Sequence, residues 1–260
     1  MYFVDRVRQR LDDTELQRNL KRTRGRNAAS RAAAVAAFTD FDAVRTRATE
    51  IRASVLRDLD VWLERFEQKA AEAGATVLWA RDGDEACRLI IDIARRHGVR
   101  TVVKSKSMVS EEAGLNAALE QAGIRPVETD LGEYILQIND NEAPSHIIMP
   151  VIHKSKEQVS ALFARVHGTA PKTDIEELTC EARERLRPEF LGADMGLSGG
   201  NFLIAETGSV AIVTNEGNGR LCTTMPRVHV ALTGIEKVVP TLDDLSTLLR
   251  ILPRSATGQA

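Results

Sequence analysis

The order of apolar and polar residues divides the chain into a helical first third and an alternating remainder. Apolar residues at 44–66 recur at steps of three and four, which places them on one stripe of a long helix predicted at 39–73. A polar helical segment at 5–21 precedes it, and the Ala-rich stretch 28–37 is a connector or a short helix. We therefore predict an N-terminal helical extension over residues 1–73.

After Gly74, short apolar runs alternate with helical stretches. Three runs are interpreted as strands, at 76–79, 101–104 and 124–129. Helices beginning near Asp82 and Ser110 fill the gaps, and Glu85 is spaced for a capping box. This βαβαβ series with short connections predicts a parallel sheet, because such crossovers are right-handed.

The remaining elements predict antiparallel strands as well. Strands are predicted at 146–149, 201–205, 210–214 and 227–232, and helices at 156–166, 175–190 and 243–252. Thr207 and Gly208 have the chemistry of a hairpin turn, because glycine accepts a positive φ. We predict an α/β fold with a mixed, largely parallel sheet flanked by helices over residues 74–260.

Composition excludes several classes of protein. The 260 residues are 43% hydrophobic and 28% charged, as in an ordinary globular protein. No apolar run approaches the roughly 20 residues of a membrane span, and the chain opens without a signal peptide, so we expect a cytoplasmic protein. Cys87, Cys180 and Cys222 form no C-x-x-C pair, so we expect reduced thiols and neither a metal nor a cofactor within this chain.

Basic residues cluster near the N-terminus without intervening acids. They are Arg18, Lys21, Arg22, Arg24, Arg26 and Arg31. A run of this kind either binds nucleic acid or an acidic partner, or forms a solvated arm. We expect no nucleic acid as a partner of this chain.

Candidate chemistry first follows the strand predicted at 101–104. Lys104, Ser105, Lys106 and Ser107 stand at a strand-to-helix turn, where backbone N–H groups and the helix dipole favour an anion. The alternative is that the lysines are surface charges and that Ser110 is a helix cap.

The next strand ends add acid–base groups. Asp130 and Glu133 follow one predicted strand, and His153 follows another. Ligands of open α/β sheets bind outside the carboxyl ends of the strands. These groups are therefore expected to lie with Lys106 along that edge, the rim of the sheet, and to perform acid–base chemistry on a small organic acid. His146 and His153 as metal ligands are the weaker alternative.

Two further carboxylates end apolar strands. Glu206 is followed by Thr207 and Gly208 in the predicted hairpin. Glu216 lies in the polar run Asn215, Glu216, Gly217 and Asn218. Burial at a strand end shifts a carboxyl pKa and makes it useful, whereas the alternative is a pair of solvated turn residues.

Six segments together resemble a known family. They are KSKSMVSEE (104–112), ETDLGEYILQ (128–137), PSHIIMPVIH (144–153), the block from GGNFLIAETG to TNEGNGR (199–220), GIEKVVP (234–240) and RSATGQ (254–259). In this order they resemble the LUD domain of the lactate utilization protein B family, and the resemblance covers roughly residues 30–260.

The resemblance implies a fold like that of NagB, ribose-5-phosphate isomerase and the CoA transferases. It also implies a role in a three-component system that oxidises L-lactate to pyruvate, with a cysteine-rich-domain protein and a smaller LUD protein as partners. Related CoA transferases use a strand-end glutamate as nucleophile, and Glu206 is the position that compares with it. Family members carry 4Fe-4S clusters in a C-terminal ferredoxin-like domain, whereas this chain stops at Ala260.

Three functions therefore follow as hypotheses. The chain is the LUD-domain portion of a lactate-oxidising subunit that binds a small carboxylate, with Glu206, Asp130 and His153 as catalytic candidates. Alternatively, it is an independent acyl- or CoA-transferase that uses Glu206, or a non-catalytic assembly module.

Overall fold

The fold is built mainly of helices in the computed structural model, which describes residues 3–146, 149–214 and 216–259. The helices are α1 (Phe3–Asp12), α2 (Thr14–Ala36), α3 (Phe41–Arg57), α4 (Leu59–Glu72), α5 (Gly83–Arg96), α6 (Met108–Glu112), α7 (Leu115–Gln121), α8 (Leu131–Ile138), α9 (Lys156–His167), α10 (Ile175–Gly192), α11 (Asn218–Thr224) and α12 (Leu242–Ala256). None of these described helices is long and apolar enough to cross a membrane.

The described residues form seven strands in two sheets. They are β1 (Thr101–Lys104), β2 (Arg125–Glu128), β3 (Met195–Ser198), β4 (Phe202–Ile204), β5 (Ser209–Ala211), β6 (Val228–Ala231) and β7 (Val238–Val239). One sheet has the order β2-β1-β3-β6 and is parallel throughout. The other has the order β5-β4-β7, with the predicted hairpin β4-β5 antiparallel and β7 parallel to β4. The α/β class is confirmed, and the antiparallel pair lies in the smaller sheet together with β7.

The chain divides into two compact units. The first contains residues 1–42, 131–181 and 250–260, and the second contains residues 43–130 and 182–249. Both sheets belong to the second unit.

One face of the parallel sheet is covered by α5 and α7. The side chains of Leu115, Leu119, Val102, Met195 and Leu197 are fully buried in this layer. Val102 and Leu197 alternate with residues that point to the opposite face, as the pleat requires. This layer fixes β1 and β3 at the centre of the sheet.

The opposite face receives α11 at close range because β3 carries a glycine there. A Cβ added to Gly196 would lie 1.7 Å from the carbonyl oxygen of Cys222 in α11. The backbone of α11 therefore contacts the sheet through a gap that only glycine leaves open.

Substituting Gly196 by alanine should destabilise the protein by about 2–3 kcal/mol, because the added methyl group has to displace the backbone of α11. Urea denaturation would measure this loss. Gly192 is the matched control, since a Cβ there meets nothing within 4 Å. Equal midpoints for Gly196→Ala and Gly192→Ala would contradict the close packing of α11.

Several predicted elements differ in the structure. The predicted strand at 76–79 is wrong. Val77 packs against a buried cluster that includes Phe66 and Ala70 of α4, and Trp79 Nε1 donates to Glu67 Oε2 at 3.1 Å. Apolar and polar residues alternate in any extended segment that packs one side against the core, whether or not it pairs with a strand. The single helix predicted at 39–73 is broken at Asp58 into α3 and α4. The strand predicted at 146–149 depends on residues 147 and 148, which lie outside the described residues.

In the first unit, α8 and α9 contribute a buried polar chain. The hydroxyl of Tyr134 lies 2.9 Å from His167 Nε2, and His167 Nδ1 lies 2.7 Å from Glu181 Oε1. Thr169 donates to the same carboxylate oxygen at 2.8 Å, and Lys172 Nζ lies 2.7 Å from Oε2. Burial alone would raise the pKa of Glu181, but hydrogen bonds from Lys172, His167 and Thr169 lower it to about 2.

This lowered pKa predicts an acid-sensitive contribution to stability. Ionised Glu181 should stabilise the fold at pH 7 by on the order of 3 kcal/mol, and this contribution should be lost as the pH falls from about 5 to 2. Urea denaturation at several pH values would measure the free energy of unfolding of the wild type and of Glu181→Gln. The difference between the two should narrow as the pH falls over that range. The exposed Glu177→Gln serves as control, and a gap independent of pH would contradict the account.

Candidate functional site

A lysine and a glutamate pair in the protein interior where β1 and β2 end. Lys104 and Glu128 are directly opposite in the strand register. Lys104 Nζ lies 2.7 Å from Glu128 Oε1, and the lysine is only 1% exposed. Asn116 from α7 completes the group, because its Oδ1 accepts from Lys104 at 2.5 Å and its Nδ2 donates to Glu128 at 2.7 Å. Each charge is thus compensated, as burial of ions requires.

Beyond this pair, Asp130 organises the loops at the carboxyl ends of the strands. Its Oδ2 accepts the backbone N–H of Lys106 at 2.6 Å and the side-chain amide of Asn218 at 2.6 Å. Asn218 begins α11 and is itself buried. Burial raises the pKa of the Asp130 carboxyl, and the bonds from Lys106 and Asn218 offset only part of this increase.

Serines of the same loop tie it to the end of β3. The backbone N–H of Ser105 donates to the carbonyl oxygen of Leu197 at 2.9 Å, which continues the β1-β3 pairing past Lys104. Ser107 caps α6 by accepting the N–H of Ser110 at 3.3 Å. Gly199, the residue after β3, packs closely against Ser107. A Cβ added to Gly199 would lie 3.2 Å from Ser107 Oγ.

Thr129 links the strand ends to α11. Its hydroxyl donates to the carbonyl oxygen of Lys104 at 2.6 Å and lies 3.5 Å from Cys222 Sγ. Burial raises the pKa of the Cys222 thiol to about 12, so this thiol stays protonated at neutral pH. The three cysteines of the chain are free. Cys222 is therefore a packing residue in this cluster.

The cluster combines a half-buried carboxyl of raised pKa with a neighbouring lysine and amide at the strand ends. A carboxyl group with a raised pKa can exchange a proton at a pH closer to neutrality, as a general acid or base needs. In the part of the chain that the structure describes, no group of three His, Cys, Asp or Glu side chains is placed to hold a metal ion.

Comparison with known sequences assigns this chain to a family. Residues 63–260 match the LUD domain family. The chain belongs to the LUD domain family. It is 43% identical over 257 residues to Lactate utilization protein B of Lysinibacillus sphaericus (strain C3-41), covering 99% of this chain and 54% of that relative.

Two other relatives align over the same length. One is Lactate utilization protein B of Bacillus subtilis (strain 168), at 41% identity over 99% of this chain and 54% of the relative. The other is the uncharacterized electron transport protein YkgF of Escherichia coli (strain K12), at 42% identity over 98% of this chain and 54% of the relative. The chain thus spans about half the length of these relatives. No solved structure matches it.

The structure brings together six of the predicted site residues in this LUD domain. Lys104, Ser105, Lys106, Ser107, Asp130 and Asn218 all lie at the carboxyl ends of the parallel strands or in the loops that adjoin them. Glu216 and Gly217 immediately precede α11, and the Glu216 N–H donates to Thr214 Oγ1 at 3.3 Å. Asn215 lies outside the described residues. Their role in ligand binding stays a prediction.

Glu206, Thr207 and Gly208 lie in the turn of the smaller sheet. Glu206 is exposed, and its Oε2 accepts the N–H of Leu242 at 3.0 Å, which caps the start of α12. Gly208 has φ +69°, and a Cβ there would lie 2.2 Å from the backbone N of Ala70 in α4. This turn therefore has a structural role at α4 and α12, and Glu206 as a nucleophile stays a prediction.

His153 belongs to the first unit, in the segment between α8 and α9. Its Nε2 lies 3.0 Å from Glu142 Oε1 and its Nδ1 lies 2.7 Å from Ser145 Oγ. Glu133, the other predicted acid of that region, is buried in α8. A rim that His153 shares with Lys106 stays a prediction.

Three residues outside the predicted site also shape it. They are Glu128, Asn116 and Thr129, each of which binds Lys104. Glu128 had a detectable signal, since an acid at the end of one parallel strand stands level with a lysine at the end of the next. Asn116 had no such signal, because it reaches Lys104 and Glu128 from helix α7 and not from a strand end.

Proposed function

We propose that this chain is the LUD-domain portion of a subunit that takes part in lactate utilization, specifically in the oxidation of L-lactate to pyruvate. The names of its relatives support lactate utilization and electron transport as the setting. The observation that carries the proposal is the hydrogen-bonded cluster of Asp130, the Lys106 amide and Asn218 at the strand ends. Parallel α/β sheets bind their ligands at this edge.

In this proposal the cluster binds a small carboxylate. The Lys106 ammonium group attracts the carboxylate, and Ser105, Ser107 and Asn218 shape the surrounding loops. Asp130 exchanges the proton of the ligand's hydroxyl group, because its raised pKa suits it to proton transfer.

Oxidation of L-lactate to pyruvate releases two protons and two electrons. Asp130 takes the hydroxyl proton, the proton from the C–H bond passes to water, and the two electrons have to reach an acceptor. We assign that acceptor to 4Fe-4S clusters outside these 260 residues. We assign the assembly to a cysteine-rich-domain protein and a smaller LUD protein as partner subunits.

Isothermal titration tests the binding step. L-Lactate and pyruvate should each bind the chain, alone or with the partner subunits, and Lys106→Met should weaken binding about tenfold through loss of one charged contact. Lys156→Met, an exposed lysine of α9, changes the net charge equally and should leave the affinity unchanged. Absence of binding in every combination would contradict the proposal.

A further inference from the structure

A hydroxyl, an imidazole and a carboxylate form a chain of hydrogen bonds between α8 and α9. Ser145 Oγ lies 2.7 Å from Nδ1 of His153, and Nε2 of His153 lies 3.0 Å from Oε1 of Glu142. All three residues belong to the first unit. Hydroxyl, imidazole and carboxylate in this order form the arrangement that activates a serine nucleophile.

Glu142 is held in its ionised form. Its Oε2 lies 2.5 Å from Lys154 Nζ and accepts from Asn139 Nδ2 at 2.8 Å. Burial acts to raise the pKa of Glu142, but the contacts with Lys154, Asn139 and His153 outweigh it and lower the pKa below its usual value. An ionised Glu142 accepts the Nε2–H of His153, which leaves the Nδ1 lone pair to accept the proton of the Ser145 hydroxyl.

The accessible end of this chain is the serine. Ser145 is exposed, whereas the His153 side chain is 7% exposed and the Glu142 side chain 22%. A reagent can therefore reach the hydroxyl, while the base and the carboxylate are largely covered by the protein. The turn before Glu142 holds Asp140 and Asn141 at φ 58° and 54°, in the left-handed region, which only a few per cent of non-glycine residues adopt.

We propose that Ser145 is a nucleophile that accepts an acyl group from activated esters and thioesters, with His153 as general base and Glu142 as the positioning residue. Ser145 Oγ forms the bond to the acyl carbon as its proton passes to His153 Nδ1. The alcohol or thiol departs with that proton, and water later cleaves the acyl ester and restores the hydroxyl. The proposal is independent of carboxylate binding in the second unit.

The surrounding backbone indicates that acylation is slow. The N–H of Ser145 donates to the carbonyl oxygen of Pro150 at 3.0 Å, and the N–H of Met149 donates to His146 Nδ1 at 3.2 Å. Neither group is available to stabilise an oxyanion, which normally speeds acyl transfer by about 100- to 1000-fold per donor. Hydrolysis of the acyl ester passes through an oxyanion of the same kind and is slowed as well, so a single acyl group should accumulate on the chain.

Labelling of the full chain with a fluorophosphonate probe and with p-nitrophenyl acetate tests the proposal. Intact mass and peptide mapping should show one adduct, on Ser145, and Ser145→Ala should abolish it. His153→Gln should slow labelling by on the order of 100-fold, the usual contribution of a general base, and Glu142→Gln by about tenfold. Ser209→Ala removes another exposed serine, on β5, and should label at the wild-type rate.

Two readouts separate catalysis from a structural effect. His153→Gln should label slowly, while its circular dichroism spectrum and melting temperature stay at the wild-type values. If His153→Gln fails to fold, Ser145→Ala and Glu142→Gln carry the same test. Labels spread over several residues, equal rates in Ser145→Ala, or no adduct with either reagent would overturn the proposal.

Discussion

Glu128→Gln should destabilise the protein by about 3–5 kcal/mol, because it leaves the buried Lys104 ammonium group without its counter-charge. Lys104 is 1% exposed and Glu128 7%, so water cannot replace the lost partner. Lys104→Met should cost a similar amount by leaving the carboxylate uncompensated. Chemical denaturation followed by circular dichroism would measure both changes.

The double variant distinguishes a buried ion pair from general disruption of the core. Lys104→Met combined with Glu128→Leu should recover much of the loss, because apolar groups of similar size often replace a buried pair without penalty. Glu72→Gln breaks the ion pair of Glu72 with Lys69, whose side chains are 50% and 38% exposed, and should leave the midpoint unchanged. Additive losses in the double variant would contradict the pairing of Lys104 with Glu128.

Affinity for pyruvate should rise as the pH falls below neutrality, because burial raises the pKa of Asp130 and its protonation removes a negative charge beside the bound carboxylate. Asp130→Asn should bind on the order of tenfold more tightly at pH 7, as expected for removal of one nearby like charge. It should also lose the pH dependence. Isothermal titration between pH 5 and 8 would measure both effects.

The matched control for this substitution is Asp92→Asn on the solvent side of α5, which changes the net charge equally. It should leave pyruvate affinity at the wild-type value. Weaker binding in Asp130→Asn would show that Asp130 supports the site through its hydrogen bonds with Lys106 and Asn218 more than it repels the ligand.

Periodicity predicted the elements whose residues pair or pack in regular patterns. The predicted strands at 101–104 and 124–129 correspond to β1 and β2, and Asp82 caps α5 by accepting the N–H of Glu85 at 2.8 Å. The hairpin β4-β5 is confirmed, with Gly208 at a positive φ. In these segments, local propensity and tertiary packing favour the same conformation.

Elements defined by tertiary packing were missed. The central strand β3 reads Met-Gly-Leu-Ser, and its glycine, which weakens a strand signal, is required for the contact with α11. α11 begins within a run of Asn and Gly that is typical of turns, although Cys222 anchors it against the sheet. The need for glycine at position 196 and the packing of α11 through Cys222 both depend on the assembled sheet, so neither can be inferred from the local sequence.

The same distinction applies to the candidate site. Lys106, Ser107 and Asp130 could be predicted because they follow apolar strands, and the ends of parallel strands share one edge. The contact of Asp130 with Asn218 could not, since 88 residues separate them along the chain. Glu206 also ends a strand, but that strand belongs to the smaller sheet, where its carboxylate caps α12.

The binding of a small carboxylate at the strand ends is tested most directly by amide NMR of the 15N-labelled chain during titration with L-lactate. Carboxylate binding at the strand ends should give saturable shifts at Lys106, Ser107, Asp130 and Asn218, which Lys106→Met would weaken and Lys156→Met would preserve. An unchanged spectrum at saturating L-lactate, or saturable shifts confined to residues away from the strand ends, would contradict it.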